Sequence, residues 1–206
     1  MAVLIPVKSS DAKSRLSSVL PRTKRQELEL LLLSGVIGAL REAGLIAATH
    51  VVSSDSAVLR LATTSGAGTV REARDNGVNA AVETGVSSLG HPPKVLVLPC
   101  DLPLLRASHL RHILLLSESM QVVIAPSASF NGTNALVFSP LTDLSLSYDN
   151  DSFWNHLRAS GRMGLSVAVV SKPGLSFDLD SPEDLSKLAK VGGNSPAVLF
   201  ARRSLR

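Results

Sequence analysis

Short aliphatic runs alternate along this chain with stretches whose apolar residues recur at helical spacing. Ala2 to Val7 reads as a buried strand. After Pro21, the stretch Arg22 to Ala43 carries Leu28, Leu31, Leu32, Ile37 and Leu40 on a helical period, and Gly44 stops it. Thr49 to Ser53 is a second strand. Asp55 is placed to cap a helix through Leu59 and Ala62, which Gly66 closes. Thr69 to Arg71 predicts a short third strand, and Asn76-Gly77 opens a helix ending at Gly90. Lys94 to Pro99 is the clearest buried strand, and Ser108 is the expected cap of a helix through Leu116. Further strands are expected at Gln121 to Ala125, Asn134 to Ser139 and Leu165 to Val170. Helices are expected at Asp151 to Ser160 and from Pro182 to Val191.

Strand and helix thus alternate through the first half, which predicts right-handed βαβ units. The fold class that follows is α/β: a Rossmann-like three-layer α/β/α sandwich with a mainly parallel sheet. Residues 1–191 read as one domain. A segment at about 128–150, rich in Gly, Asn, Ser and Pro, breaks the rhythm and is expected as an inserted hairpin or lid. Gly192 to Pro196 reads as a linker to a C-terminal arm, 192–206, whose apolar segment Val198-Leu199-Phe200 packs either on its own domain or on a second subunit of a homodimer.

Composition sharpens this picture. Of 206 residues, 45% are apolar but only 3% aromatic, so the core must be aliphatic, as suits a parallel sheet covered on both faces. The single cysteine, Cys100, excludes an intramolecular disulfide. The N-terminal run lacks a basic lead-in and a signal-length apolar stretch, and no run approaches a membrane span. A soluble, cytoplasmic protein is the expectation. The net charge of +4 is modest and suits a small anionic substrate. Much of it lies in the tail Arg202-Arg203-Ser204-Leu205-Arg206, read as a solvated end. Basic stripes interleaved with aromatics are absent, which argues against a nucleic-acid partner.

In open α/β sheets ligands bind beyond the carboxyl ends of the strands, so polar clusters there are the candidates. The sharpest is Leu96-Val97-Leu98-Pro99-Cys100-Asp101-Leu102-Pro103, an apolar strand running into a carboxylate. A buried acid needs a cation, and Mg²⁺ takes one or two carboxylates plus phosphate oxygens and water. The alternatives for Asp101 are a helix cap or a lysine partner. Cys100 reads as a small buried residue, with no activating histidine nearby in sequence. After the first strand come Lys8, Lys13 and Arg15, either a triphosphate clamp or a solvated loop. Asp178 and Asp180 point the same way along an extended segment, and one of them is a candidate second metal ligand. Asn131-Gly132-Thr133-Asn134 is either an anion site or a plain turn, and Asn79 either reads a base edge or caps its helix. His156 reads as a structural helix histidine. No nucleophile–base pair stands out, which fits phosphoryl chemistry carried by positioning and charge.

Several segments, in order, resemble the 2-phospho-L-lactate guanylyltransferase family of deazaflavin coenzyme synthesis. They are Ile5-Pro6-Val7-Lys8 with Ala12-Lys13-Ser14-Arg15-Leu16, then Gly77-Val78-Asn79-Ala80-Ala81, then Pro99-Cys100-Asp101-Leu102-Pro103-Leu104. Gly132-Thr133-Asn134-Ala135-Leu136, Ser152-Phe153 with His156, and Asp178-Leu179-Asp180-Ser181-Pro182-Glu183-Asp184-Leu185 complete the set. The resemblance implies a glycosyltransferase-A-like sandwich that moves GMP from GTP to 2-phospho-L-lactate, with phosphoenolpyruvate or another phospho-acid as the alternative acceptor. A non-catalytic nucleotide-binding module is the reading of a different class. In the family pattern the aspartate at the Asp101 position holds Mg²⁺, and the residues at the Thr133 and Ser152 positions contact the acceptor. The residues themselves add the rest as expectations: Lys8, Lys13, Arg15 and Asp101 as the catalytic set, Lys8, Lys13, Ser14, Arg15, Gly77 and Asn79 toward the nucleotide, and Asn134 and Asp149 beside the acceptor. Asp178 or Asp180 is the expected second metal ligand beside Asp101. One departure concerns the acceptor. Family members often read Gly-Pro-Gly-Ser where this chain has Asp149-Asn150-Asp151-Ser152, so two aspartates either turn outward or join the metal site.

Overall fold

The computed structural model describes residues 1–8 and 13–205. Seven strands form one sheet: β1 Ala2–Pro6, β2 Thr49–Ser53, β3 Gly68–Arg71, β4 Val95–Val97, β5 Val122–Pro126, β6 Thr133–Phe138 and β7 Val167–Val169. Their order is β3-β2-β1-β4-β6-β5-β7. Four of the six strand pairings are parallel, and β6 supplies both antiparallel ones. The mainly parallel α/β sandwich expected from the pattern is therefore the fold.

Alternate residues of each strand face opposite layers. Val3 and Ile5 of β1 join a core under α1 (Arg22–Glu42), α2 (Ser56–Thr64) and α4 (Ala107–Ser119). Leu4 faces the other layer, where α3 (Gly77–Ser88) and α5 (Ser152–Arg162) contribute Val82 and Phe153. Gly85 lets α3 lie close on the sheet, because a Cβ there would meet the Leu4 methyls at 2.9 Å. The expected Asp55 cap is present, its carboxylate accepting from the Ala57 and Val58 N–H groups. Ser108 does not cap its helix. α4 starts earlier, at Ala107, and His109 Nδ1 accepts the Arg106 N–H, 3.2 Å away.

The segment at about 128–150 is divided between two structures. Residues 127–132 are the turn of a β5–β6 hairpin, closed by Ser127 N–H donating to Gly132 O at 2.9 Å. Residues 133–138 are not a lid: they are β6, buried along its whole length between β4 and β5. A short hairpin leaves no room for a crossover helix, so β6 must run antiparallel. Its first residues, Thr133 and Asn134, therefore emerge at the carboxyl edge of β4.

The C-terminal arm is a helix. After the short α6 (Pro173–Ser176) and α7 (Pro182–Lys190), α8 (Pro196–Ser204) lays Val198 and Phe200 against Leu28, Leu32, Leu185 and Leu188. Of the two packings open to the arm, these side chains take the one on their own domain. Arg202, expected as part of a solvated tail, instead donates to Ala189 O and Val191 O at 3.0 and 2.7 Å, satisfying carbonyls at the end of α7. Among the described residues no helix is long and apolar enough to cross a membrane.

Candidate active site

The connections after β1 and β4 leave the carboxyl ends of adjacent parallel strands, and it is in the crevice at that edge that open α/β sheets bind their ligands. Asp101 follows β4 into that crevice. Its backbone carbonyl accepts from Leu179 N–H at 3.1 Å, which pins the extended segment 178–180 beside it. Leu179 is buried, and its neighbours Asp178 and Asp180 both turn to the site, as the two-residue period requires.

Lys13 fills the space between these acids. Its ammonium donates to Asp101 Oδ2 and to Asp180 Oδ1, both at 2.8 Å, and its side chain is only 8% exposed. Burial by itself pushes the lysine pKa down. The charges of Asp101 and Asp180 more than offset this, and the net direction is up. Lys13 also sits at φ 54°, a left-handed conformation that costs a non-glycine residue about 1–2 kcal/mol. The two ion pairs are what hold it there.

The three loop cations do not gather at one point. Lys13 turns inward to carboxylates, while Lys8 and Ser14 are exposed and Arg15, 78% exposed, reaches only within 3.8 Å of Asp180 Oδ2. The two acids capture Lys13 because the backbone brings that cation between them. Ser9 to Ala12, the middle of that loop, lie outside the described residues.

Asp178 accepts from Asn134 Nδ2 at 3.4 Å, and the same amide donates to Leu175 O at 2.9 Å. Burial raises the Asp178 pKa first, and the negative charge of Asp101 raises it further. Two carboxylates thus share one lysine, and a third, Asp178, lies close enough to feel their charge. Among the described residues no three His, Cys, Asp or Glu side chains gather as a ready-made metal cage. The donor set still fits an ion of the Mg²⁺ type, which needs one or two carboxylates and completes its shell with phosphate oxygens and water.

Two residues expected to face the acceptor, Thr133 and Ser152, stand at the starts of β6 and α5. Thr133 and Ser152 are both buried, and Ser152 opens the first turn of α5, one turn ahead of His156 on the same face. Thr133 Oγ1 is 3.1 Å from His156 Nδ1. Asp149 and Asp151 are exposed, and neither bonds to the Asp101 cluster. Of the two outcomes for these aspartates, the structure has them turned outward. Asn79 neither caps α3 nor leaves a free edge. Its Oδ1 accepts from Tyr148 N–H at 2.9 Å and its Nδ2 donates to Asp149 Oδ2 at 3.3 Å, so it ties α3 to the 148–149 loop. Gly77 begins α3 at φ 87°, a conformation that suits only glycine. Asn131 closes the hairpin turn, accepting from Ser127 Oγ at 3.0 Å.

Some charged residues near the site escape a reading of motifs. Arg25 and Glu29 are buried on α1 at the same helical phase as Leu32 and Val36. Burial pushes the Glu29 carboxyl up to about 7, with Lys13 pulling the other way. Charged side chains interrupting an apolar stripe at four-residue spacing were the available signal. Cys100 is buried and its thiol is pushed up by burial first, which makes it a packing residue rather than a nucleophile.

A family model described as "Guanylyl transferase CofC like" matches residues 1–204. A phosphoenolpyruvate guanylyltransferase of Rubrobacter xylanophilus is 40% identical over 199 residues, 92% of this chain and 94% of the relative. A 2-phospho-L-lactate guanylyltransferase of Methanocaldococcus infernus is 32% identical over 196 residues, 95% of this chain and 87% of the relative. Among solved structures, a putative nucleotide-diphospho-sugar transferase from Desulfovibrio desulfuricans superposes with a TM-score of 0.78 at 16% identity, covering 98% of this chain and 95% of that one.

Proposed function

The chain belongs to the guanylyl transferase CofC-like family, and on that premise we propose that it moves GMP from GTP onto the phosphate of 2-phospho-L-lactate. The observation carrying this reading is the Asp101–Lys13–Asp180 cluster at the sheet's carboxyl edge. A second acceptor, phosphoenolpyruvate, is favoured by the name of the 40% identical relative. Both acids carry a carboxylate beside a phosphorylated carbon, so one pocket suits either.

In this reading a phosphate oxygen of the acceptor attacks the α-phosphorus of GTP, a new P–O–P bridge forms, and the bond to the departing pyrophosphate breaks. That oxygen is already ionised, so no protein base is required. Catalysis then rests on placement and charge. Lys8 and Arg15 are the exposed cations that would meet the triphosphate. Asp101, with Asp178 or Asp180, would hold Mg²⁺, which supplies neutralising charge to phosphate oxygens when bound. Lys13 keeps these carboxylates apart and fixed. Thr133 and Ser152 would orient the acceptor. The product would feed deazaflavin coenzyme synthesis. A cytoplasmic setting suits a chain whose single cysteine forms no disulfide.

Purified protein mixed with GTP, Mg²⁺ and each phospho-acid should release pyrophosphate, with the preferred acceptor read from kcat/KM. Asp101→Asn should lose at least about a hundredfold in kcat, the scale of one electrostatic contact in a transition state. Full turnover by that variant would sink the Asp101 assignment, and GTP binding without pyrophosphate release from either acid would favour a non-catalytic module.

A further inference from the structure

His156 is fully buried on α5, and both ring nitrogens are engaged. Nε2 lies 3.0 Å from the backbone nitrogen of Ser147. A backbone amide only donates, so Nε2 must be the bare nitrogen that accepts. Burial lowers the ring's pKa to about 4, which keeps the imidazole neutral near physiological pH. Its one hydrogen is therefore on Nδ1, which donates to Thr133 Oγ1 at 3.1 Å.

This assignment has a consequence for Thr133. An oxygen that accepts on its histidine side keeps its own hydrogen for another direction. Among the described residues Thr133 Oγ1 has no second protein partner. The opposite tautomer would set two hydrogens face to face at Ser147 and turn the threonine hydrogen into the ring. It would then offer only lone pairs to an anion. The surroundings hold the ring against such a change. The Tyr148 ring packs edge-on to His156 at 4.9 Å between centroids. Asn155 Nδ2 donates to Ser147 Oγ at 3.0 Å, and Asn79 Oδ1 accepts the Tyr148 N–H, so the 147–148 backbone is fixed from two sides.

We propose that His156 is a positioning residue that sets the Thr133 hydroxyl as a hydrogen-bond donor toward an anionic oxygen of the acceptor. The proposal rests on the guanylyl-transfer reading for the identity of that acceptor. His156 touches no reacting atom itself. It decides the polarity of a neutral side chain that must face a carboxylate or phosphate.

Two substitutions separate the roles of the two nitrogens. The amide of His156→Gln reaches the Nε2 position and serves Ser147, but leaves Thr133 without its donor. The amide of His156→Asn reaches the Nδ1 position and still donates to Thr133. His156→Gln should raise the acceptor KM about tenfold or more, the worth of one hydrogen bond to a charged group, with the GTP KM unchanged. His156→Asn should hold the acceptor KM near wild type even where its melting temperature falls. Thr133→Val should match His156→Gln, and the double variant should be no worse than Thr133→Val alone. Nitrogen NMR of labelled histidine should show hydrogen on Nδ1 only. Equal increases in both KM values, additive effects with Thr133→Val, or hydrogen on Nε2 would each overturn the proposal. If wild type turns over neither phospho-acid, the guanylyl-transfer reading fails separately. Calorimetric titration with phosphoenolpyruvate then decides the positioning role: weaker binding by His156→Gln supports it, and equal or absent binding overturns it.

Discussion

Replacing Lys13 by methionine removes one charge while keeping most of the buried stem. In the wild type that ammonium sits 2.8 Å from both Asp101 and Asp180. Removing one partner of a buried ion pair costs about 3–5 kcal/mol, because the remaining charge is left uncompensated. Here Asp101 is 21% and Asp180 38% exposed, so water recovers part of the loss and the lower end, about 3 kcal/mol, applies. For a chain of this length that corresponds to a fall in Tm of about 6–12 °C. The penalty also has a pH signature. The Asp178 pKa is raised by burial and then by Asp101, so the folded state holds a proton that the unfolded chain has lost. Its contribution is fully present below the unfolded carboxylate value and is lost as pH rises through the folded one. Without Lys13 this repulsion grows, so the deficit should be small at about pH 4 and full at about pH 7. Calorimetric melts at both pH values, with and without Mg²⁺, are the assay. Mg²⁺ should raise the Tm of Lys13→Met more than that of wild type, since it takes up the uncompensated charge. A Tm within about 2 °C of wild type at neutral pH, or a deficit indifferent to pH, would refute the electrostatic account of the site.

Other consequences are open to direct measurement. Glu29 is pushed up to about 7 mainly by burial, so its contribution is present below its unfolded value and lost as pH rises to about 7; Glu29→Gln should gain up to about 3 kcal/mol above that pH and nothing near pH 4, read from urea midpoints. Phe200→Ala, at a side chain 2% exposed between α1 and α7, should cost about 3–5 kcal/mol in chemical denaturation, and an unchanged midpoint would show that α8 is not docked. Asn79→Ala leaves the Tyr148 N–H without its acceptor, so it should cost about 1–3 kcal/mol and speed amide exchange at Tyr148.

Elements with a strong local period were legible from the chain alone. Thr49–Ser53 is a strand over the expected residues, and the long helix from Arg22 ends one residue short of its expected end at Ala43. An aliphatic strand or an apolar helical stripe is written in neighbouring residues, because each needs only its own face buried. Asp101 was legible for the same reason: a carboxylate at the end of an apolar run is locally anomalous. Its partner was not. Lys13 meets Asp101 across 88 positions and Asp180 across 167, and nothing in its own loop separates a buried ion pair from a phosphate clamp. Only the folded chain shows which cation the acids capture.

The C-terminal arm and β6 divide along the same line. Their apolar residues showed that each must be covered, but not by what. Docking α8 on α1 and α7, and threading β6 antiparallel into the sheet, follow from which surfaces are left open once the other elements have packed. Histidine 156 makes the point most sharply. No neighbouring residue specifies which ring nitrogen carries its hydrogen, whereas the folded chain brings Ser147 to one ring nitrogen and Thr133 to the other. Local sequence thus determined the strands, the helices and the chemistry on offer, since these depend on near neighbours. Tertiary structure decided which charges pair, which faces are covered and which way a hydroxyl donates, since those depend on contacts between residues far apart in the chain.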